Sequence, residues 1–295
     1  MELLIEHVLN VVAPVLICAS IGFILAKTNV LFDTKMVGAV VSKVGYPTLI
    51  LSHLAQQHVA FGAFVQFMGF AAIAVGLFGV IGFVFLRLVG LPARAFLSPM
   101  MMNNVGNVGL PVCLLAFGSQ GLAYALAFTV AVLCAIFTVG MWLPIGKVSF
   151  KSLLSQPVIY AVILSLILMG TGAQLPEPII QSASILGGLS IPLMLLTLGY
   201  TIATLSVGSI WRGTYLALFH LVMAGAVAFT LVAMFGLTGT EKGVFILQCL
   251  APVSVATYLW VEMYQEKYAA DVAGMILIST LATIIVLPLV LTFWI

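Results

Sequence analysis

Charge is what this sequence lacks. Only 6% of its 295 residues are Asp, Glu, Lys or Arg, ten basic against eight acidic, where a soluble domain carries about a quarter. That scarcity excludes a water-soluble globular enzyme. It equally excludes a disordered chain, which needs high charge and few apolar residues, and a nucleic-acid binder, which needs a concentrated basic footprint. A net charge of +2 suggests no polyanionic partner. Cysteine is sparse as well: Cys18, Cys113, Cys134 and Cys249 all sit inside apolar stretches without CxxC spacing, so they read as buried thiols. His7, His53, His58 and His220 show no ligand spacing. They read as surface residues, and neither a metal nor a cofactor is expected. There is no GxxxxGK[ST] loop and no polar run long enough to fold as a soluble domain, which leaves no place for an ATP-driven motor. The start, with Glu2 and Glu6 before the first apolar run, lacks the basic region and cleavage site of a leader. That run reads as a first helix.

What the chain has is apolar sequence: 63% hydrophobic residues and a mean hydropathy of +1.29. Its 27 Gly and 12 Pro fit membrane helices, where both are tolerated. The expected class is an all-α polytopic membrane protein. At about 20 residues per crossing, ten transmembrane helices are expected, near 8–26, 36–53, 61–86, 96–117, 121–144, 153–171, 178–199, 213–236, 243–263 and 269–293. The runs are too long for barrel strands and lack their period-two alternation. With the N-terminus outside, the inner loops contain Lys27, Lys35, Arg87, Arg94, Lys147, Lys151, Arg212 and Lys267, and the outer loops only Lys242. This positive-inside pattern implies an even number of spans and both termini outside. Trp142, Trp211, Trp260 and Trp294 fall near span ends, as an aromatic belt does. Gly69, Gly76, Gly79 and Gly82 in the third span, and Gly187, Gly188 and Pro192 in the seventh, suit close helix packing.

Carriers are often built from inverted halves, and the two halves here share an order of events. Pro14 and Pro157 open spans one and six, Pro47 and Pro192 lie in spans two and seven, and a 145-residue offset sets Asn103 against Gln248 and Asn107 against Pro252. The expectation is two five-helix repeats, 1–145 and 146–295, the second inverted.

Two spans are interrupted by polar residues. In the fourth, Asn103, Asn104 and Asn107 stand among Gly106, Gly109 and Pro111. Proline removes a backbone donor, glycine lets the chain leave helical angles, and the amides are free to satisfy the backbone or bind a solute. In the ninth, Pro252 is flanked by Gln248, Ser254, Thr257 and Tyr258. Unsatisfied polar groups cost several kcal/mol in lipid, so both segments must face protein or an aqueous cavity. Two breaks meeting near the midplane would present helix N-termini suited to a carboxylate and C-terminal carbonyls suited to a cation. A small carboxylate is chemically reasonable there, and a neutral or zwitterionic solute stays open. Glu262, inside the ninth span, is a candidate for proton coupling or a membrane-edge partner of Lys267. Lys43 either snorkels to the interface or meets an anion in an inner vestibule.

The order Lys43…Tyr46-Pro47, Asn103-Asn104-x-Gly106-Asn107-x-Gly109-x-Pro111 and Ala251-Pro252…Thr257-Tyr258…Glu262-x-Tyr264 resembles the auxin efflux carrier family, in its short bacterial form, over essentially the whole chain. The resemblance implies a permease of the bacterial inner membrane with crossed broken helices 4 and 9. It implies a scaffold of helices 1, 2, 6 and 7 (8–53 and 153–199) and a transport domain of helices 3–5 and 8–10 (61–144 and 213–293). It also implies a homodimer and a secondary carrier for malonate, malate or a related organic anion, with Asn104 as the match to the substrate-contacting asparagine. The chain departs from the plant pattern at Asn103, where those proteins have proline, and at Val253, where they have a polar residue, so auxin is not the expected substrate. Proton or sodium coupling stays open, as do a channel and a membrane sensor on the same architecture.

Overall fold

The computed structural model describes residues 2–55, 59–147 and 150–293. The side chains of Glu2 and His7 lie outside that description, as do His58 and Trp294 altogether. The elements are α1 (Glu2–Lys27), α2 (Thr34–Val40), α3 (Tyr46–Ala55), α4 (Phe61–Leu88), α5 (Ala93–Met101), α6 (Leu110–Ala135), α7 (Met141–Ile145) and α8 (Phe150–Leu154). They continue with α9 (Pro157–Thr171), α10 (Glu177–Gly188), α11 (Ser190–Thr204), α12 (Ile210–Phe235), α13 (Gly239–Cys249), α14 (Val255–Tyr264) and α15 (Glu266–Phe293). Large apolar side chains point outward along the long helices, such as Ile17, Val80, Val222 and Ile285, all more than half exposed. Asn103, Asn104, His220 and Gln248 are turned in. Apolar outside and polar inside is the arrangement a hydrocarbon solvent requires.

The ten expected spans are not found. Among the described residues six helices are long and apolar enough to cross a membrane: Val8–Lys27, Phe61–Leu88, Val105–Ile145, Glu177–Thr204, Ile210–Phe235 and Glu266–Phe293. Counting apolar runs does not register where the backbone leaves the helix. The run expected at 96–117 is cut at 102–104, so α5 keeps nine residues and the remainder joins the run expected at 121–144. Within that joined stretch the chain bends at Gly118, whose φ is +62°. The run at 243–263 is cut at 250–254 into helices of 11 and 10 residues, and α9 has only 15. With the count goes the basis for an inverted five-plus-five repeat. The expected crossing of helices 4 and 9 is replaced by an edge-to-edge pairing of the two interruptions, described below.

Three wide helical turns of the π type, Val41–Gly45, Val105–Gly109 and Ile136–Gly140, each lie just upstream of a proline: Pro47, Pro111 and Pro144. A proline ring clashes with the carbonyl four residues back. Widening the preceding turn by one residue relieves that clash without ending the helix. Pro111, expected to interrupt its helix, therefore sits in the first turn of α6, and the interruption lies upstream at Asn103.

The closest helix packings fall into two sets. In one, α1 lies along α11 and α3 packs on α9 and α10; in the other, α12 lies along α15 and α6 packs on α4 and α13. Gly22 and Gly199 let α1 and α11 meet backbone to backbone, since a Cβ on either would overlap a carbonyl of the other helix. Gly187 does the same for α10 and α3, where a Cβ would lie 2.8 Å from the Leu49 backbone. Gly79 and Gly82 admit Met101, Leu97 and Met100 of α5, whereas Gly69, Gly76 and Gly188 face open space. The expected glycine packing thus holds at some positions of each span and not at others.

Candidate functional site

Where a helix stops inside an apolar body, its free N–H and C=O groups must find partners. The two interruptions supply them to each other. Asn103 and Val253 form an antiparallel bridge, the Asn104 N–H donates to Pro252 O at 2.6 Å, and the Ser254 N–H donates to Met102 O at 3.0 Å. The Val253 N–H donates to Ser279 Oγ of α15 at 3.2 Å. Asn103 closes the arrangement: its Nδ2 donates to the carbonyls of Gln248 and Cys249, the last of α13, and its Oδ1 meets His220 Nε2 at 3.1 Å.

Beyond the bridge two helices begin. Asn104 caps the first, its Oδ1 accepting from the Asn107 N–H at 3.3 Å. Ser254 caps α14, its Oγ accepting from the Ala256 N–H at 3.2 Å. Both starts, at Val105–Gly106 and at Val255–Ala256, line one cavity of about 610 Å³. Its wall also includes Asn103, Asn107 and Tyr258 on the side of the breaks, and Tyr46, Met194 and Thr197 on α3 and α11. Asn104 is 5% exposed, and among the described residues its Nδ2 has no hydrogen-bond partner; neither has the buried Thr197 Oγ1. Thr129, Thr138, Thr280 and Thr283 donate to the carbonyl four residues back, whereas Thr197, like Ser98, Ser165 and Ser190, has no such partner among the described residues.

The cavity runs from the bridge to one face of the molecule, past Lys35, Gln156, Ser206 and Glu262. Lys35, one of the cations expected in inner loops, lies at that face. Its helix ends are tied together by Lys27 Nζ donating to Ala203 O at 3.3 Å, Gln265 Nε2 donating to Pro144 O at 3.1 Å and Arg212 pairing with Asp271 at 2.5 Å.

The sequence-derived residues separate into three sets. Asn103, Asn104, Gly106, Asn107, Ser254, Tyr258 and Glu262 line the cavity. Gln248 and Thr257 are fully buried behind it: Gln248 Nε2 donates to Ala125 O at 3.4 Å, and Thr257 Oγ1 donates to Ser254 O at 2.9 Å. Gly109 packs against Gln248 Oε1, and Pro252 lies on a second, apolar cavity of about 50 Å³. Lys43 is exposed and outside the cavity wall, which takes its cation from Lys35 instead. Glu262 accepts from Tyr258 Oη at 3.2 Å, while Lys267 lies over the Tyr268 ring rather than on Glu262. His220, expected at the surface, is 2% exposed: a histidine flanked by Phe and Leu in an apolar run had a core position as its simpler reading. Lys35, Tyr46 and Thr197 were missed as cavity residues. A lone Thr among leucines carries no signal, but Lys35 at the head of a span did.

Among the described residues no group of three His, Cys, Asp or Glu side chains is placed to hold a metal ion. Comparison with known proteins returns an uncharacterized transporter of Methanocaldococcus jannaschii, 30% identical over 200 residues. The match covers 64% of this chain and 64% of the relative's length. The family described as membrane transport protein matches residues 141–294, a little over half of the chain, and it takes in α9 to α15 with the second interruption. This chain is a multi-pass membrane protein that belongs to the membrane transport protein family.

Proposed function

We propose that the protein is a secondary carrier of the auxin efflux carrier type, moving a small organic acid, a malonate- or malate-like mono- or dicarboxylate, by alternating access. The observation that carries this reading is the cavity end: two helix starts and a buried, partnerless amide donor bound one space. Helix N-termini offer free N–H groups and partial positive charge, and Asn104 Nδ2 is a donor without an acceptor. A carboxylate satisfies all three. Among the described residues no cation lines the inner end, so recognition is by neutral donors, with Lys35 drawing anions to the mouth. Asn104, Asn107, Ser254 and Tyr258 are the contacts on the side of the breaks, and Tyr46 and Thr197 those opposite. Gln248 and Thr257 hold the backbone from behind. Among the described residues Glu262 is the one carboxylate of the wall and the group through which a proton gradient would act.

Two further features support a carrier over an open pore. Among the described residues the cavity wall includes Lys35 and Glu262 but not Lys242, which fits access from one side. Where α1 and α11 face α15 and the interruptions, the small second cavity is lined by apolar side chains, Val12, Ala19 and Leu198 on one side and Val108, Pro252 and Leu287 on the other. An apolar seam slides without breaking directional bonds, which suits a scaffold and a moving transport domain. If the mouth bearing Lys35 faces the cytoplasm, as the positive-inside rule favours, this is an inward-open state with both termini outside.

The test is binding. Trp260 lies in the wall, so its fluorescence in the purified protein should respond to malonate or malate. Asn104→Ala should weaken that response about tenfold or more, the cost of one hydrogen bond to a charged group. An unchanged affinity in a folded Asn104→Ala protein would remove this site from consideration.

A further inference from the structure

The C-terminal end of α13 raises a separate question. The last carbonyls of a helix carry partial negative charge, and broken membrane helices commonly direct such carbonyls at a cation. Here Gln248 O and Cys249 O are held by protein instead. Asn103 Nδ2 has two N–H groups and donates to both carbonyls. With the amide nitrogen so committed, Oδ1 is the atom facing His220, at 3.1 Å from Nε2. Because Oδ1 only accepts, Nε2 must carry the proton, which fixes both the amide's orientation and the imidazole tautomer. Asn103 is 2% exposed, His220 2% and Cys249 0%.

We propose that the Asn103 amide, oriented by His220, takes the place of a cation at the end of α13, so that this end of the paired breaks works without a bound alkali ion. His220 is then a positioning residue acting through Asn103. The inference goes beyond the substrate reading and uses none of the groups assigned to the organic acid, so the two fail separately. It has a specific consequence. Asn103→Asp replaces the two N–H donors with a second carboxylate oxygen facing two carbonyl oxygens. His220 Nε2–H still holds the first. The cluster is then three hard oxygens with no donor among them, which is a cation site.

The experiment is thermal unfolding of the purified protein in NaCl, KCl and choline chloride at equal ionic strength, with His220→Gln and His220→Leu beside Asn103→Asp. The wild type should unfold at one temperature in all three salts. Asn103→Asp should be less stable in choline chloride and recover by a few degrees as Na+ is raised, as a ligand bound only by the folded state requires. Glutamine can donate to Oδ1 and leucine cannot, so His220→Gln should keep most of the stability that His220→Leu loses. A wild type stabilised selectively by Na+ or K+ would overturn the proposal, because the carbonyls would then take a cation themselves. So would an Asn103→Asp protein indifferent to the cation. If that variant does not fold, equal losses in His220→Gln and His220→Leu would overturn it in its place.

Discussion

At the scale of single residues, Gly106 and Tyr46 show how closely the two sides of the cavity approach. A Cβ on Gly106 would overlap the Tyr46 hydroxyl oxygen, so the start of the helix at Val105 rests directly on α3. Gly106→Ala should therefore displace one of them at a cost of about 1–3 kcal/mol and cut transport severalfold. Tyr46→Phe combined with Gly106→Ala should recover part of the lost stability; the unfolding temperatures of the single and double variants check this. Loss of equal size in both would mean that the glycine serves the backbone alone. The same scale shows what was legible in the sequence. Polar residues crowded around Gly and Pro in apolar runs marked the site, and Asn104, Ser254, Tyr258 and Glu262 do line it. Their division of labour was not legible. Asn103 and Asn104 are neighbours of one type, yet one ties down α13 and the other keeps a free donor; only the partner across the bridge distinguishes them.

Among elements, helix boundaries were the weakest part of the sequence reading, for a physical reason. Hydropathy reports which solvent a segment prefers, not whether its hydrogen-bond ladder is continuous. The cut at 102–104 is made of Met, Asn and Asn, and its backbone groups are satisfied by residues near position 252, some 150 positions away. The wide turns before Pro47 and Pro111 carried a local mark, a glycine two residues ahead of the proline, but Pro111 was assigned to a break and Pro47 only to the repeat. Packing between elements is easier to test. Gly199 lies where a Cβ would run into Ala19 O of α1, so Gly199→Val should separate α1 from α11. The expected result is a loss of at least about 2 kcal/mol, seen as a lowered unfolding temperature or aggregation on size-exclusion chromatography. Gly76→Val, at a position facing open space, should leave both unchanged.

For the whole molecule, one charge asymmetry organises the account. The cavity opens past Lys35, one of the eight cations that the sequence places in inner loops, whereas Lys242 is the one it places outside. If the cavity mouth is cytoplasmic, Lys35→Cys should react with a membrane-impermeant maleimide only from the inside and Lys242→Cys only from the outside. Cys113 and Cys249 are buried; Cys18 and Cys134 would be replaced to lower the background. Labelling of both positions from one side would overturn the orientation.

The central claim, that the cavity end is a carboxylate site on a transport path, is tested most directly by flux into proteoliposomes holding only the purified protein. Labelled malonate and malate are supplied beside an auxin control, with pH and sodium gradients imposed separately. The account predicts uptake of the small acid above empty vesicles, reduced about tenfold or more in folded Asn104→Ala and indifferent to sodium. Uptake that persists unchanged in Asn104→Ala, or no movement of any organic acid under either gradient, would contradict it.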